Sequence, residues 1–357
     1  MSSCKSLRNQ YYVCLKGGQE PIPWNPIDTD QIISPGLNYF AKVFEAMETS
    51  LEASYLVFYC TWDTNKLPSY GQNVVAVVLG DEWCRIPTYS HKVRAVFKCY
   101  GTRPTLGCNP FFKPSYLNFL ALLKFVKTWV ERLPSLSNYA LLRLRGLLSR
   151  SARVPSIYDI PLGYFTQLNL PIKDIKERTY DVSFVGSVDH LPYSKWSIKR
   201  LLDSPKSYSR RRMITALNEI EEEYPEFRVK LSITSGFGVD SGEGEISYSQ
   251  EMMNTKICLV PRGASLETFR FFEALRYGCV VVTEALPSRW FYDGSPAVQV
   301  HDWSDLEKIL KRLIQDEDLM QRKHYESLEW WRTKCSEGAV GAYIARKLNS
   351  LMNSSPV

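Results

Sequence analysis

Between Lys256 and Glu284 the chain reads KICLVPRGASLETFRFFEALRYGCVVVTE, and this stretch carries the residue types best suited to hold a charged ligand. Arg262 and Gly263 follow an apolar run, Ser265 stands where a helix would begin, and Arg270 and Glu273 lie one to two turns further on. A helix N-terminus presents unpaired N–H groups and positive potential, so Arg262, Gly263 and Ser265 suit an anion such as a diphosphate. Glu273 could accept hydrogen bonds from ribose hydroxyls. On a solvent face the same Arg270 and Glu273 would be an i,i+3 ion pair worth a few tenths of a kcal/mol.

The flanking runs, Ile257 to Val260 and Cys279 to Thr283, are short, β-branched and non-alternating, as in parallel strands buried on both faces. Pro261 and Gly263 end the first strand. Ser265 is the expected N-cap, and Gly278 sits where a C′ glycine would close the helix. The order is strand, loop, helix, strand. Upstream, Tyr180 to Gly186 reads as another strand running into a glycine turn, which makes Gly186 and Ser187 further ligand-side candidates.

The run YSQEMMNTKICLVPRGASLETFRFFEALRYGCVVVT, at about residues 247–283, resembles the signature of the exostosin family. That resemblance implies an inverting glycosyltransferase of the GT-B fold, two Rossmann-like α/β domains facing across a cleft, with this segment in the nucleotide-sugar-binding domain. It extends more weakly over about residues 178–310. It implies a nucleoside diphosphate sugar as donor, a saccharide or lipid-linked saccharide as acceptor, no cofactor and no metal. Many GT-B enzymes carry two glutamates eight positions apart. Here Ser265 occupies the first position, so Glu273 alone can take the ribose role.

An inverting transfer needs a base for the acceptor hydroxyl. In the first half, the strand-like run Asn73 to Leu79 ends in Gly80, Asp81 and Glu82, where doubly wound sheets gather their ligands. Asp81 and Glu82 are the candidate bases, with His91 in reserve; a polar turn would show the same residues. Asp28, Thr29 and Asp30 imitate a metal-binding D-x-D, but prolines surround them and a turn role suits them better.

Around these candidates the chain reads as two α/β halves. Residues 1–35 are a poorly regular lead-in, Gly36 to Met47 a helix, and Tyr55 to Cys60, Asn73 to Leu79 and Val93 to Cys99 strands. A linker falls in 151–178, giving domains at 1–160 and 161–330 and a helix at 331–357 that crosses back to the first. Arg210, Arg211 and Arg212 open a helix, where they could meet phosphates but more commonly form a solvated helix start, and Ser235 to Ser247 is a glycine-rich acidic loop. Ser304 to Glu307 is a capping box.

The 357 residues carry a net charge of +6, mild for a nucleic-acid binder, and no RNA-binding aromatic motif or helix-turn-helix spacing is present. Charge concentrates at 117–150, where six basic residues face one acidic residue within an amphipathic pattern. Such a helix suits either the surface of an anionic membrane or an ordinary core contact with a solvated rim. Nine scattered cysteines without a C-x-x-C pair point to a reducing compartment and away from zinc. With no apolar leader or spanning segment, a cytoplasmic location is expected. Two other classes fit the same features: a catalytically silent partner in a polysaccharide-synthesising complex, and a membrane-surface adaptor.

Overall fold

The computed structural model describes residues 7–15, 20–28, 35–107, 114–148, 155–165, 168–188, 205–234 and 243–353. Two compact units form. One comprises 1–104, 126–162 and 336–357, the other 105–125 and 163–335. Asp28 is the sole member of the D-x-D triplet inside the described residues.

The first unit is built on β1 (Gln10–Cys14), β2 (Ile22–Trp24), helix α1 (Asn38–Glu48), β3 (Val57–Thr61), β4 (Gly71–Val78) and β5 (Val93–Lys98). The long helix α2 (Tyr116–Leu148), which belongs to this unit from residue 126 onward, and the edge strand β6 (Ile157–Asp159) follow. The sheet order is β2-β1-β3-β4-β5-β6, and every pairing is parallel except β1 with β2. Residues 7–15 and 20–28 are therefore more regular than the prolines around them suggest. Tyr11 of β1 stacks on Phe58 and packs against Phe44 of α1, so tertiary burial outweighs weak local propensity. Cys60, Val75, Ala76 and Val77 are fully buried, as the non-alternating runs require.

The second unit contains β7 (Tyr180–Gly186), α3 (Pro205–Glu223), β8 (Val229–Ile233), α4 (Glu243–Met253), β9 (Thr255–Val260), α5 (Phe269–Arg276), β10 (Val280–Thr283), β11 (Val298–Gln299), α6 (Leu306–Gln315) and α7 (Glu317–Trp330). Its sheet, β11-β10-β9-β7-β8, is parallel throughout. Val182, Phe184, Ile257, Leu259, Val280 and Val282 form a core with Met213 and Leu217 of α3 and Leu306 and Leu310 of α6. Thus two α/β halves are present, each around its own largely parallel sheet.

Three expectations change in detail. Residues 235–242 of the glycine-rich segment lie outside the described residues, while Glu243 onward is helical, because α4 feeds directly into β9. Asp302, not Ser304, caps the turn before α6, its carboxylate accepting from the Ser304 amide at 2.9 Å. Residues 157–159, expected in a linker, form an edge strand beside β5. The α5 terminus matches its glycine. Gly278, at φ +70, donates to the Leu275 carbonyl while Cys279 donates to that of Ala274, a Schellman closure.

The last helix, α8 (Glu337–Asn353), belongs to the first unit and packs on α1. A Cβ on Gly341 would stand 2.7 Å from the Val43 carbonyl and 2.8 Å from the Met47 amide nitrogen, so the two backbones meet there. Gly338, one turn earlier, faces open space. Gly341→Ala should destabilise the fold by roughly 1–3 kcal/mol through overpacking. Gly338→Ala should stabilise it by up to about 1 kcal/mol through helix propensity alone. Denaturant midpoints of the two variants will show the opposite signs.

Candidate functional site

The loop after β9 departs from the sequence expectation. Helix α5 begins at Phe269, capped by the extended Thr268, rather than near Ser265. Ser265 Oγ instead accepts from the Glu267 amide at 3.0 Å, closing a local turn. Residues 261–268 are therefore loop, and the N–H groups after Gly263 are not a helix terminus. Glu267 and Arg289 hold that loop through an ion pair of 2.9 Å whose side chains are almost wholly buried. Leu266 lies against Gly107, where a Cβ would come within 2.7 Å of it.

Two arginine side chains, Arg210 and Arg270, converge where β7 ends, beside the backbone of Arg262 after β9. Arg270 donates from Nη2 to the Val185 carbonyl and lies 4.8 Å over the Phe184 ring. Gly186, at φ +151, is the residue that admits it, because a Cβ there would collide with the Arg270 guanidinium. Arg210 of α3 lies over the same ring at 5.9 Å, donates from Nη1 to the Ser187 carbonyl and from Nε to the Arg262 carbonyl at 3.3 Å. Arg262 is itself buried, and its amide donates to Glu284 at 3.3 Å. Glu284 also accepts from Ser209 and from the Trp303 indole at 3.2 Å.

Cationic charge is thus in excess. Burial, and next the Arg270 guanidinium, lower Arg210 to about 9, while Glu284 opposes the shift. Arg270 Nε is buried without a hydrogen-bond partner. An anion placed here would neutralise repelling guanidiniums in a site that admits little water. Gly186, Ser187, Arg262 and Arg270, drawn from the sequence, come together in this cluster. Arg210 is the member that sequence reasoning left on a solvated helix start. Only Arg211 and Arg212 are exposed there; Arg210 faces inward with Met213 and Leu217, a three- and seven-residue spacing that carries the signal.

Glu273 does not sit on a solvent face. It is 4% exposed, accepting from the Tyr248 hydroxyl at 2.6 Å and from the Phe165 amide at 3.1 Å. Burial raises its carboxyl above the ordinary value, and the two hydrogen bonds oppose that rise. Its oxygens join α5, α4 and the segment entering this unit.

In the first unit the candidate bases separate. Asp81, at φ +78, has a fully buried carboxylate paired with the fully buried Lys98 at 3.1 Å and bonded to Arg85 Nε and amide nitrogen at 2.8 Å each. That ties the carboxylate to the β4 and β5 termini and removes Asp81 as a base. Glu82, next in the turn, remains partly exposed at the carboxyl end of β4. His91 precedes β5 by two residues and so lies at the amino edge of the sheet, away from the strand ends that gather ligands. Burial also lowers its imidazole.

No protein-family model matches the chain. Over 57 residues it is 40% identical to the Exostosin-1 homolog of Caenorhabditis elegans, a match spanning 16% of this chain and 14% of that protein. Among solved structures, a sucrose-phosphate synthase from Thermosynechococcus elongatus is similar over 89% of this chain and 94% of its own, at 13% identity and a TM-score of 0.42. Anabaena HepE, solved in complex with UDP, is similar over 87% and 77%, at 14% identity and a TM-score of 0.38. The GtfA/B complex is similar over 80% of this chain and 58% of that chain, at 13% identity and a TM-score of 0.38. At such scores the likeness carries no argument, and the α/β character rests on the two parallel sheets themselves.

The Glu273 network can be tested through stability. Glu273→Gln keeps an acceptor for the Phe165 amide and a donor for the Tyr248 oxygen, so it should stay within about 1 kcal/mol of the parent at neutral pH. Glu273→Ala strands both donors and should cost about 2 kcal/mol or more. The raised carboxyl binds its proton more tightly in the folded than in the unfolded chain. Between the ordinary and the raised value, stability therefore falls as pH rises, and acidification should favour the parent over Glu273→Gln. Chemical denaturation at neutral and mildly acidic pH measures both effects.

Proposed function

We propose that the chain is a glycosyltransferase that takes a sugar from a nucleoside diphosphate donor, with the donor held by its second unit. The observation that carries this reading is the pair of guanidiniums of Arg210 and Arg270 over Phe184 at the carboxyl end of β7, with the buried Arg262 in the loop after β9 and Glu284 as the nearby carboxylate. In a parallel α/β sheet those ends are where a ligand is held, and a transferring enzyme needs positive charge that stabilises a departing diphosphate. The local identity with an exostosin homolog falls in keeping with that chemistry.

In this reading the two α/β units form a GT-B enzyme, and inversion at the sugar follows one in-line displacement. The acceptor hydroxyl loses its proton to Glu82 and attacks the anomeric carbon as the bond to the diphosphate oxygen breaks. The arginines take the charge that appears on the leaving group, which makes the transfer metal-independent. Gly186 and Ser187 bring the backbone close to the diphosphate, and Gly263 and Ser265 shape the loop beside it. Glu273 acts on the donor through the position it gives α5, or accepts a ribose hydroxyl after its Tyr248 bond opens. A saccharide or lipid-linked saccharide is the acceptor. The buried thiols, among them Cys60, Cys258 and Cys279, suit a reducing, cytoplasmic setting.

Thermal unfolding against a panel of nucleotides and nucleotide sugars tests the donor site. A ligand at 100 times its dissociation constant should stabilise by roughly 2.7 kcal/mol, a shift of a few degrees. Arg262→Ala, Arg270→Ala and Arg210→Met should lose the shift, Arg211→Ala should keep it, and a chelator should leave it unchanged. A folded protein that no nucleotide stabilises would end the donor reading. Glu82→Gln should lower turnover by two orders of magnitude or more while the nucleotide shift persists. Elongation undiminished in Glu82→Ala would favour the silent-partner reading, to which the locked Asp81 already lends weight.

A further inference from the structure

Helix α2 has its faces reversed relative to an ordinary surface helix. Within residues 126–148, which belong to the first unit, the inward face carries the polar residues Thr128, Arg132 and Ser135. Ser135 Oγ accepts from the Ile86 amide at 3.1 Å, and Thr128 and Arg132 are buried. Val126, Val130, Leu133 and Leu144 point the other way and are 50% to 58% exposed. At about 100° per residue these four, with the exposed Leu141, fall within one arc of about 80°. An apolar stripe of this length facing solvent marks a docking surface.

The charges at its margins decide what docks. From the middle of the stripe, Lys127 lies about 80° to one side and Arg143 about 120° to the other, both exposed, with Glu131 about 120° away beyond Lys127. Trp129 borders the stripe with the Arg132 guanidinium 4.9 Å over its ring, a side chain suited to a membrane interface. An anionic lipid surface accepts the apolar stripe and both cationic margins together. None of the described helices is long and apolar enough to cross a membrane, so contact would be in the plane of the surface.

We infer that α2 docks the protein on an anionic lipid bilayer, through Val126, Val130, Leu133 and Leu144 as the inserted stripe and Lys127 and Arg143 as its cationic margins. This binding needs neither donor nor turnover, so its failure leaves the nucleotide-sugar reading untouched.

Flotation of the full-length protein with phosphatidylcholine vesicles, with and without phosphatidylglycerol, tests it. The protein should float with the anionic vesicles and remain below with the neutral ones, and high salt should release it. Lys127→Gln and Arg143→Gln should each lower the partition coefficient about five-fold. The pair Val130→Ser and Leu133→Ser should abolish flotation while the circular dichroism melting curve stays that of the parent, since both side chains are already exposed. Absence of flotation with anionic vesicles, or equal flotation with neutral ones, would overturn the inference. So would a dimer in sedimentation analysis that Val130→Ser and Leu133→Ser dissociate, since the stripe would then join two copies.

Discussion

Parallel strand pairing is the constraint from which the rest follows. Each parallel connection must carry the chain back across the sheet, so all the strands of a unit end on one rim. In the second unit that rim receives Gly186 and Ser187 after β7, Pro261 to Gly263 after β9, and Glu284 after β10. Side chains scattered over a hundred residues of sequence become neighbours because the pairing leaves them nowhere else to go. The Phe184 ring, inside β7, then supplies an apolar plate against which Arg210 and Arg270 are both held. Rotamer freedom of two long side chains is lost during folding rather than at the moment of binding, which is what preorganisation means for an anion site.

Buried charge recurs across both units, but its arrangement differs. Arg178 gives its guanidinium to the carbonyls of Thr255, Lys173 and Tyr277, and so splices the entry to β7 onto the start of β9 and the end of α5. Lys98 and Asp81 neutralise each other between β4 and β5. Glu267 and Arg289 do the same beneath the loop after β9. In each of them a direct ion pair or a set of carbonyl acceptors offsets much of the desolvation. Around Arg210 and Arg270 the two guanidiniums face each other over Phe184, and Glu284 is shared among an amide, a hydroxyl and an indole.

Much of the scaffold was legible because it rests on local rules. Ile257 to Val260 and Cys279 to Thr283 could be recognised as buried parallel strands, and Gly278 as a helix stop, from periodicity and the needs of a positive φ. What escaped was decided at a distance. Ser265 has the right chemistry for an N-cap, but the buried Glu267 and Arg289 pair pulls the following residues into loop, and α5 starts four residues later. β1 looked irregular because its stability comes from pairing with β3 and from the ring of Phe44. Arg210 looked solvated because its two neighbours in sequence are; only the i+3 and i+7 positions, Met213 and Leu217, reveal that its face is inward. Asp81 and Glu82 are adjacent and chemically alike, and a fully buried lysine across the strand ends assigns one to the scaffold.

Glu273 shows how position can matter more than contact. A carboxylate in the second turn of α5 had the spacing of a ligand-binding residue, yet its oxygens reach Tyr248 on α4 and the backbone of Phe165. Three residues earlier on the same helix, Arg270 reaches back to Val185 at the end of β7. Arg270 and Glu273 lie about 60° apart on one face of α5, while the buried Phe271, Phe272, Ala274 and Leu275 pack the helix into the core. Both sets of polar bonds therefore depend on one packed orientation of the helix, with Arg270 stacked on Phe184. Glu273 thus bears on the placement of Arg270 through the helix that carries both, its own oxygens being committed to Tyr248 and Phe165.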